Sequence, residues 1–106
     1  MGLNACEFNL IGNIVLGDNF RDGEPFLVMK YTSNDLYRMA AFQLVLPEDN
    51  VRRHMLREKF EQLKPYEKDG FKFSRLVRVK GALFLENLQV VVKEITYLNT
   101  DIECRS

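Results

Sequence analysis

Between Arg75 and Leu98 the chain reads RLVRVKGALFLENLQVVVKEITYL, two apolar, β-branched runs parted only by Glu86-Asn87. Two such runs around a short polar break predict an antiparallel hairpin. Side chains alternate along a strand, so Val77, Val79, Gly81 and Leu83 share one face, and Arg78, Lys80, Ala82 and Phe84 share the other. The first face is aliphatic and belongs to a core. The second is cationic and ends in an aromatic ring, which makes it a candidate binding face.

The segments before the hairpin repeat the two-residue period. Glu7 to Leu16 places Phe8, Leu10, Ile14 and Leu16 inward and Asn9, Ile11, Asn13 and Val15 outward, with Gly12 at a bend or close approach. A glycine-bracketed polar loop, Gly17 to Gly23, carries Phe20 and Arg21. Pro25 to Thr32 reads as a second strand, with Phe26, Val28, Lys30 and Thr32 on one side. Ser33-Asn34-Asp35 turns the chain into a third, Leu36 to Leu46, with Phe42, Leu44 and Leu46 as core and Tyr37, Met39, Ala41 and Gln43 alternating with them.

After Pro47 the period changes. Glu48-Asp49-Asn50 supplies capping residues, and Val51, Met55, Leu56, Phe60 and Leu63 recur at helical spacing over about four turns. Pro65 and Lys68-Asp69-Gly70 end the helix, and Phe71-Lys72-Phe73 leads into the fourth strand. Strand, strand, strand, helix, strand, strand is the order of an OB-fold, an all-β five-stranded barrel with one α-helix between strands 3 and 4, with a generic α+β sandwich as the remaining competitor. At 106 residues a single domain is expected, its helix plugging the barrel with Val51, Leu56 and Phe60 against Leu10, Leu44 and Val79.

The formal charge of zero conceals an asymmetry. Ten Lys and Arg stand against four acids between Arg52 and Lys80, so this segment carries +6 and the remainder −6. Such polarity suits a polyanionic partner. Apolar runs far shorter than ~20 residues exclude a spanning helix, and the first residues lack a secretory pattern, so a cytoplasmic protein with no membrane partner is expected. Cys6 and Cys104, at opposite ends of the chain, read as free thiols of a reducing compartment unless a returning strand brings them together as a staple. Catalytic chemistry finds no support. His54 sits among arginines on the helix, no Cys/His spacing suits zinc, and neither a phosphate-cradling glycine loop nor a nucleophile elbow occurs. No enzyme activity, metal or cofactor is implied.

Three segments carry a family resemblance. Asn9-Leu10-Ile11-Gly12-Asn13-Ile14 resembles the first strand of bacterial single-stranded DNA-binding proteins. Leu76 to Leu83 resembles their fourth strand, keeping its V-x-V-x-G-x-L pattern, and Val90 to Leu98 resembles their last. The likeness runs in order from about Glu7 to Leu98. The chain departs from that family in its short Glu86-Asn87 turn, its lack of tryptophan, its lack of an acidic Phe-ended tail and its longer helical segment. A divergent, tail-less phage, mobile-element or replication-accessory relative fits these departures.

The resemblance implies binding of single-stranded DNA, or RNA, in replication, recombination or repair, by a homodimer or larger assembly whose first strand lies at the subunit interface. OB barrels hold strands with cations on phosphates and aromatics on bases. The candidate set is Phe26, Lys30, Tyr37, Arg78, Lys80 and Phe84 on the outward faces, Phe20 and Arg21 in the first loop, and Arg38 at the edge of the third strand. The competing reading is a protein-interaction subunit of a replication or recombination assembly, docking through Phe26, Val28, Met39 and Phe84. A pI near neutrality favours that rival.

Overall fold

The computed structural model describes the backbone of residues 5–16, 25–33 and 36–104, and side chains within 5–15 and 41–103. Among the described residues seven elements follow one another: β1 (Ala5–Leu16), β2 (Pro25–Ser33), β3 (Leu36–Val45), α1 (Asn50–Gln62), β4 (Tyr66–Lys68), β5 (Phe71–Phe84) and β6 (Gln89–Cys104). The fold is mostly β, with one helix and a strongly curled, barrel-like sheet. Strand order is β1-β2-β3-β6-β5-β4, and β1 also pairs β5, so the pairings of the five long strands return on themselves. All are antiparallel except β3–β6, which are parallel over Gln43–Val45 and Gln89–Val91.

The alternation of β5 is realised as read. Val77 and Val79 are fully buried, while Arg78 is half-buried and Lys80 exposed. Phe8, Ile14, Leu44, Val90, Val92 and Ile95 complete the sheet's share of the core, with Leu10, Phe42, Leu46 and Leu83 packed against it. Phe8 and Phe42 meet edge-on at 5.1 Å, the arrangement ring quadrupoles favour.

The helix begins where Asp49 accepts a hydrogen bond from the Arg52 backbone N–H at 3.0 Å. It ends at Leu63, whose N–H reaches the carbonyls of Lys59 and Phe60. Leu56, Phe60 and Leu63 form its buried stripe at i, i+4 and i+7. Val51 does not plug the barrel. It is 69% exposed, and Met55 is 57% exposed, because at 100° per residue Val51 lies about 120° or more from that stripe and Met55 about 80° or more.

Two further expectations are corrected, and the alternative of a Cys6–Cys104 staple is ruled out. Lys68-Asp69-Gly70 does not stop the helix, which has already ended; Asp69 and Gly70, both at positive φ, turn a hairpin between β4 and β5, adding a sixth strand. The β5–β6 turn takes four residues, Leu85 to Leu88, instead of two. Cys6 and Cys104 cannot form a staple. Cys6 is in register with Leu83 of β5 and Cys104 with Lys72, eleven positions away or ~36 Å along the strand. Cys6 is a free, exposed thiol. Among the described residues no helix is long and apolar enough to cross a membrane.

Gly81 marks the tightest point of the sheet. A register shift on β6 falls between Lys80 and Gly81, and a Cβ at Gly81 would lie 2.2 Å from the Val91 carbonyl oxygen. That oxygen is backbone, fixed on both sides by ladders. Gly81→Ala is therefore expected to destabilise the protein by about 2–3 kcal/mol, as overpacking does, and to lower Tm by roughly 10 °C or more. Thermal unfolding followed by circular dichroism checks this, and an unchanged Tm rejects the close approach.

Candidate nucleic-acid interface

The outer face of the sheet carries one continuous row across four strands. Phe26 of β2 is in register with Gln43 of β3, Gln43 with Gln89 of β6, and Gln89 with Phe84 of β5. Alternation sets Gln43, Gln89 and Phe84 opposite the buried Leu44 and Val90 and the partly buried Leu83. The row carries a ladder of amides. Asn87 Nδ2 donates to Gln89 Oε1, and Gln89 Nε2 donates to Gln43 Oε1, both at 2.9 Å. The Gln43 backbone N–H also donates to the Leu88 carbonyl at 3.0 Å, fastening the hairpin tip to β3. The row stands on backbone joined by ladders, so its geometry is set before any ligand arrives.

Further along β5 the same face becomes cationic. Arg78 Nη1 donates to Asn9 Oδ1 of β1 at 3.1 Å, a neutral partner that leaves the guanidinium its charge. Lys80 is exposed and in register with Asn9 on one side and Glu94 on the other. Glu94 lowers the net charge of that row, which leaves Arg78 the less compensated cation of the two. Arg78 to Phe84 spans roughly 20 Å at ~3.3 Å per residue.

The remaining candidates are placed by backbone register alone. Lys30 pairs with Met39 and Tyr37 with Thr32, on the face of Phe26 and Gln43 but towards the far end of the β2–β3 ladder. Arg38 pairs with Tyr31 and shares the face of Phe42. Phe20 and Arg21 lie outside the described residues, as do Asn34 and Asp35 of the predicted turn. The structure thus brings Phe26 and Phe84 into one row by register, with Lys80 and Arg78 four and six positions away along β5 and Lys30 and Tyr37 four and six positions away along β2 and β3. His54 is exposed on the helix, 3.1 Å from Glu58 one turn on.

A second constellation was not among the candidates. Both oxygens of Asp101 accept from tyrosines, Oδ2 from the Tyr66 hydroxyl and Oδ1 from the Tyr97 hydroxyl, each at 2.5 Å. The Arg75 guanidinium lies over the Tyr66 ring at 4.9 Å and the Tyr97 ring at 6.0 Å, and it donates to the Gln62 carbonyl at the end of α1. Tyr66 stacks on Phe73 at 5.4 Å. These residues come from α1, β4, β5 and β6, so no local pattern links them; the Tyr97–Asp101 spacing is the one local signal. Among the described residues no cluster of His, Cys, Asp and Glu is arranged to hold a metal.

The two tyrosine hydrogen bonds hold the Asp101 carboxyl below its usual range, and they raise both phenols by favouring their protonated form. A depressed carboxyl contributes stability above its unfolded value and loses it as pH falls through the folded one. Raised phenols contribute below the ordinary tyrosine value of about 10 and lose it as pH rises through the folded value. Asp101→Asn should therefore flatten both the acid and the alkaline limb of a Tm-against-pH curve. Limbs unchanged from wild type would show that the cluster does not couple to folding.

No family model, curated protein or solved structure matches the chain.

Proposed function

We propose that this chain is an OB-fold protein of the single-stranded DNA-binding type that holds a single strand on the outer face of β2, β3, β5 and β6 and carries out no catalysis. The observation that carries the reading is the row Phe26–Gln43–Gln89–Phe84, two aromatics flanking fixed amides, with Arg78 and Lys80 beyond it on the same strand. Aromatics stack on bases for about 1–3 kcal/mol each whatever the base, and cations follow the phosphates. The cyclic strand order, the parallel β3–β6 seam and a helix between the third strand and the β5–β6 hairpin support the OB assignment, with β4 as an addition to five barrel strands. Such a protein serves DNA replication, recombination or repair.

A protein-interaction subunit is the second reading. It is favoured by the hairpin tip, where Leu85 and Leu88 are 55% and 45% exposed next to Phe84 and Gln89. Salt separates the two. Binding through phosphates releases counterions and weakens steeply as salt rises, whereas an apolar docking patch tolerates salt.

Arg78→Ala with Lys80→Ala should leave Tm near wild type, because the inward Val77 and Val79 carry the packing. The pair should weaken binding to a labelled oligonucleotide and flatten its salt slope. Phe84→Ala should weaken binding with that slope kept, since stacking releases no counterions. Wild type that fails to bind oligonucleotides at low salt hands the case to the interaction module.

Assembly as a homodimer or larger belongs to the same reading. The outer face of β1 leaves Ile11 40% exposed between Asn9 and Asn13, a poor solvent surface for a small barrel. A dimeric or larger mass is expected by light scattering at tens of micromolar, and a monomeric mass counts against it.

A further inference from the structure

At the end of the core opposite the hairpin tip, α1 and β6 part around an open pocket of about 460 Å³. Leu63 and Ile95 form its apolar lining, Tyr97 presents a ring, and Lys59, Arg75 and Asp101 supply the charges. This pocket is separate from the outer-face row. Tyr97 is eight residues along β6 from Gln89, ~26 Å at 3.3 Å per residue, and it packs against the core while Gln89 faces out.

Its electrostatics follow from what is already bonded. A helix C-terminus is a negative end, and a carboxylate beside it adds to that field. Arg75 offsets both, since its guanidinium donates to the Gln62 carbonyl and stands over the two tyrosines that bind Asp101. Both Asp101 oxygens are occupied by tyrosine hydroxyls. Two cations against one carboxylate leave the lining net positive, with the surplus at Lys59, whose side chain is exposed in the last turn of the helix. The volume falls within the range of small-ligand pockets, roughly 300–1,000 Å³.

We propose that this pocket takes one nucleotide unit, its base against Leu63, Ile95 and the Tyr97 ring and its phosphate at Lys59. The proposal rests on the reading that the chain binds nucleic acid, and it adds a second site to that reading. The nucleotide comes either free from solution or as the end of a strand held on the outer face. The apolar lining and ring suit a planar base, and the single surplus cation suits one phosphate. A phosphate without a base has no partner for the lining; an uncharged ring has none for Lys59.

The test uses the full chain labelled with 15N and titrated with adenosine monophosphate. Amide shifts are expected at Lys59, Leu63, Ile95 and Tyr97, and not at Phe84 or Gln89. Lys59→Ala removes an exposed side chain, so the fold should persist while affinity for the nucleotide falls about tenfold, the worth of one charge-assisted hydrogen bond. Lys64→Ala, which removes a lysine paired to Glu61 at 2.8 Å outside the pocket, should leave affinity unchanged. A linear oligonucleotide compared with a circular one of equal length identifies the source. If Lys59→Ala weakens only the linear form, the pocket holds a strand end; if it weakens neither but lowers monophosphate affinity about tenfold, the pocket holds a free nucleotide. Oligonucleotide binding with no monophosphate shifts at millimolar concentration, or with shifts confined to Phe84 and Gln89, overturns the pocket and leaves the outer-face reading standing. Loss of both overturns the two together.

Discussion

The structure depends on β5 being hydrogen-bonded along both edges. β1 pairs it from Leu76 to Phe84, and β6 pairs it from Lys72 to Phe84. A strand held this way leaves few backbone groups for solvent, so its side chains divide inside from outside. Val77 and Val79 go inward because they are apolar, and Arg78 and Lys80 go outward because burying unpaired charge costs far more than any packing gain. Gly81 permits the approach of β6 at the point where the register shifts, since any side chain there would meet the Val91 carbonyl. A bulge of this kind strengthens local twist, and twist is what carries β6 round towards β3.

Closure through β3 and β6 is short, three residue pairs against twelve between β5 and β6. A seam of that length is the weakest joint of the curled sheet. It is reinforced on the outside by the Gln89–Gln43 amide bond and by the Gln43 N–H on the Leu88 carbonyl. The amides that make the outer face polar are thus also part of what holds the sheet closed. Their geometry is fixed by folding, so a ligand would meet preorganised groups and lose less freedom on binding.

How much of this was legible in the chain depends on how local each feature is. The two-residue alternation of β1 and β5, the Asp49 cap and the Leu56–Phe60–Leu63 stripe are all set by neighbours within a few positions, and all are readable. β4 was missed because Pro65 and Asp69-Gly70 read as a helix stop, whereas Asp69 and Gly70 at positive φ shape a hairpin turn. The last six residues of β6 look like coil in Asn99-Thr100-Asp101, and Asn99 does take a left-handed conformation; the strand resumes there because β5 continues to offer partners at Arg75 and beyond. The amide row and the Arg75–Tyr66–Tyr97–Asp101 cluster join residues from separate elements, Gln43 and Gln89 being 46 apart. Register creates these sites, and register between distant strands is not written in any one of them.

Leu88 shows where the demands of fold and surface meet. Its φ of 53° lies in the left-handed region, which costs an ordinary side chain about 1–2 kcal/mol and which glycine or asparagine would occupy at little cost. The backbone reason is close at hand. The four-residue turn must bring the Leu88 carbonyl to the Gln43 N–H and still deliver Gln89 in register with Phe84, and a left-handed residue accomplishes that change of direction. The backbone requirement explains the conformation but not the choice of leucine, whose side chain is 45% exposed and gains little from burial. Strain of this size persists where surrounding bonds over-determine it, and here those bonds are the closure seam itself. The tip therefore presents an apolar side chain beside the ring of Phe84 and the amide of Gln89, at the short parallel seam between β3 and β6.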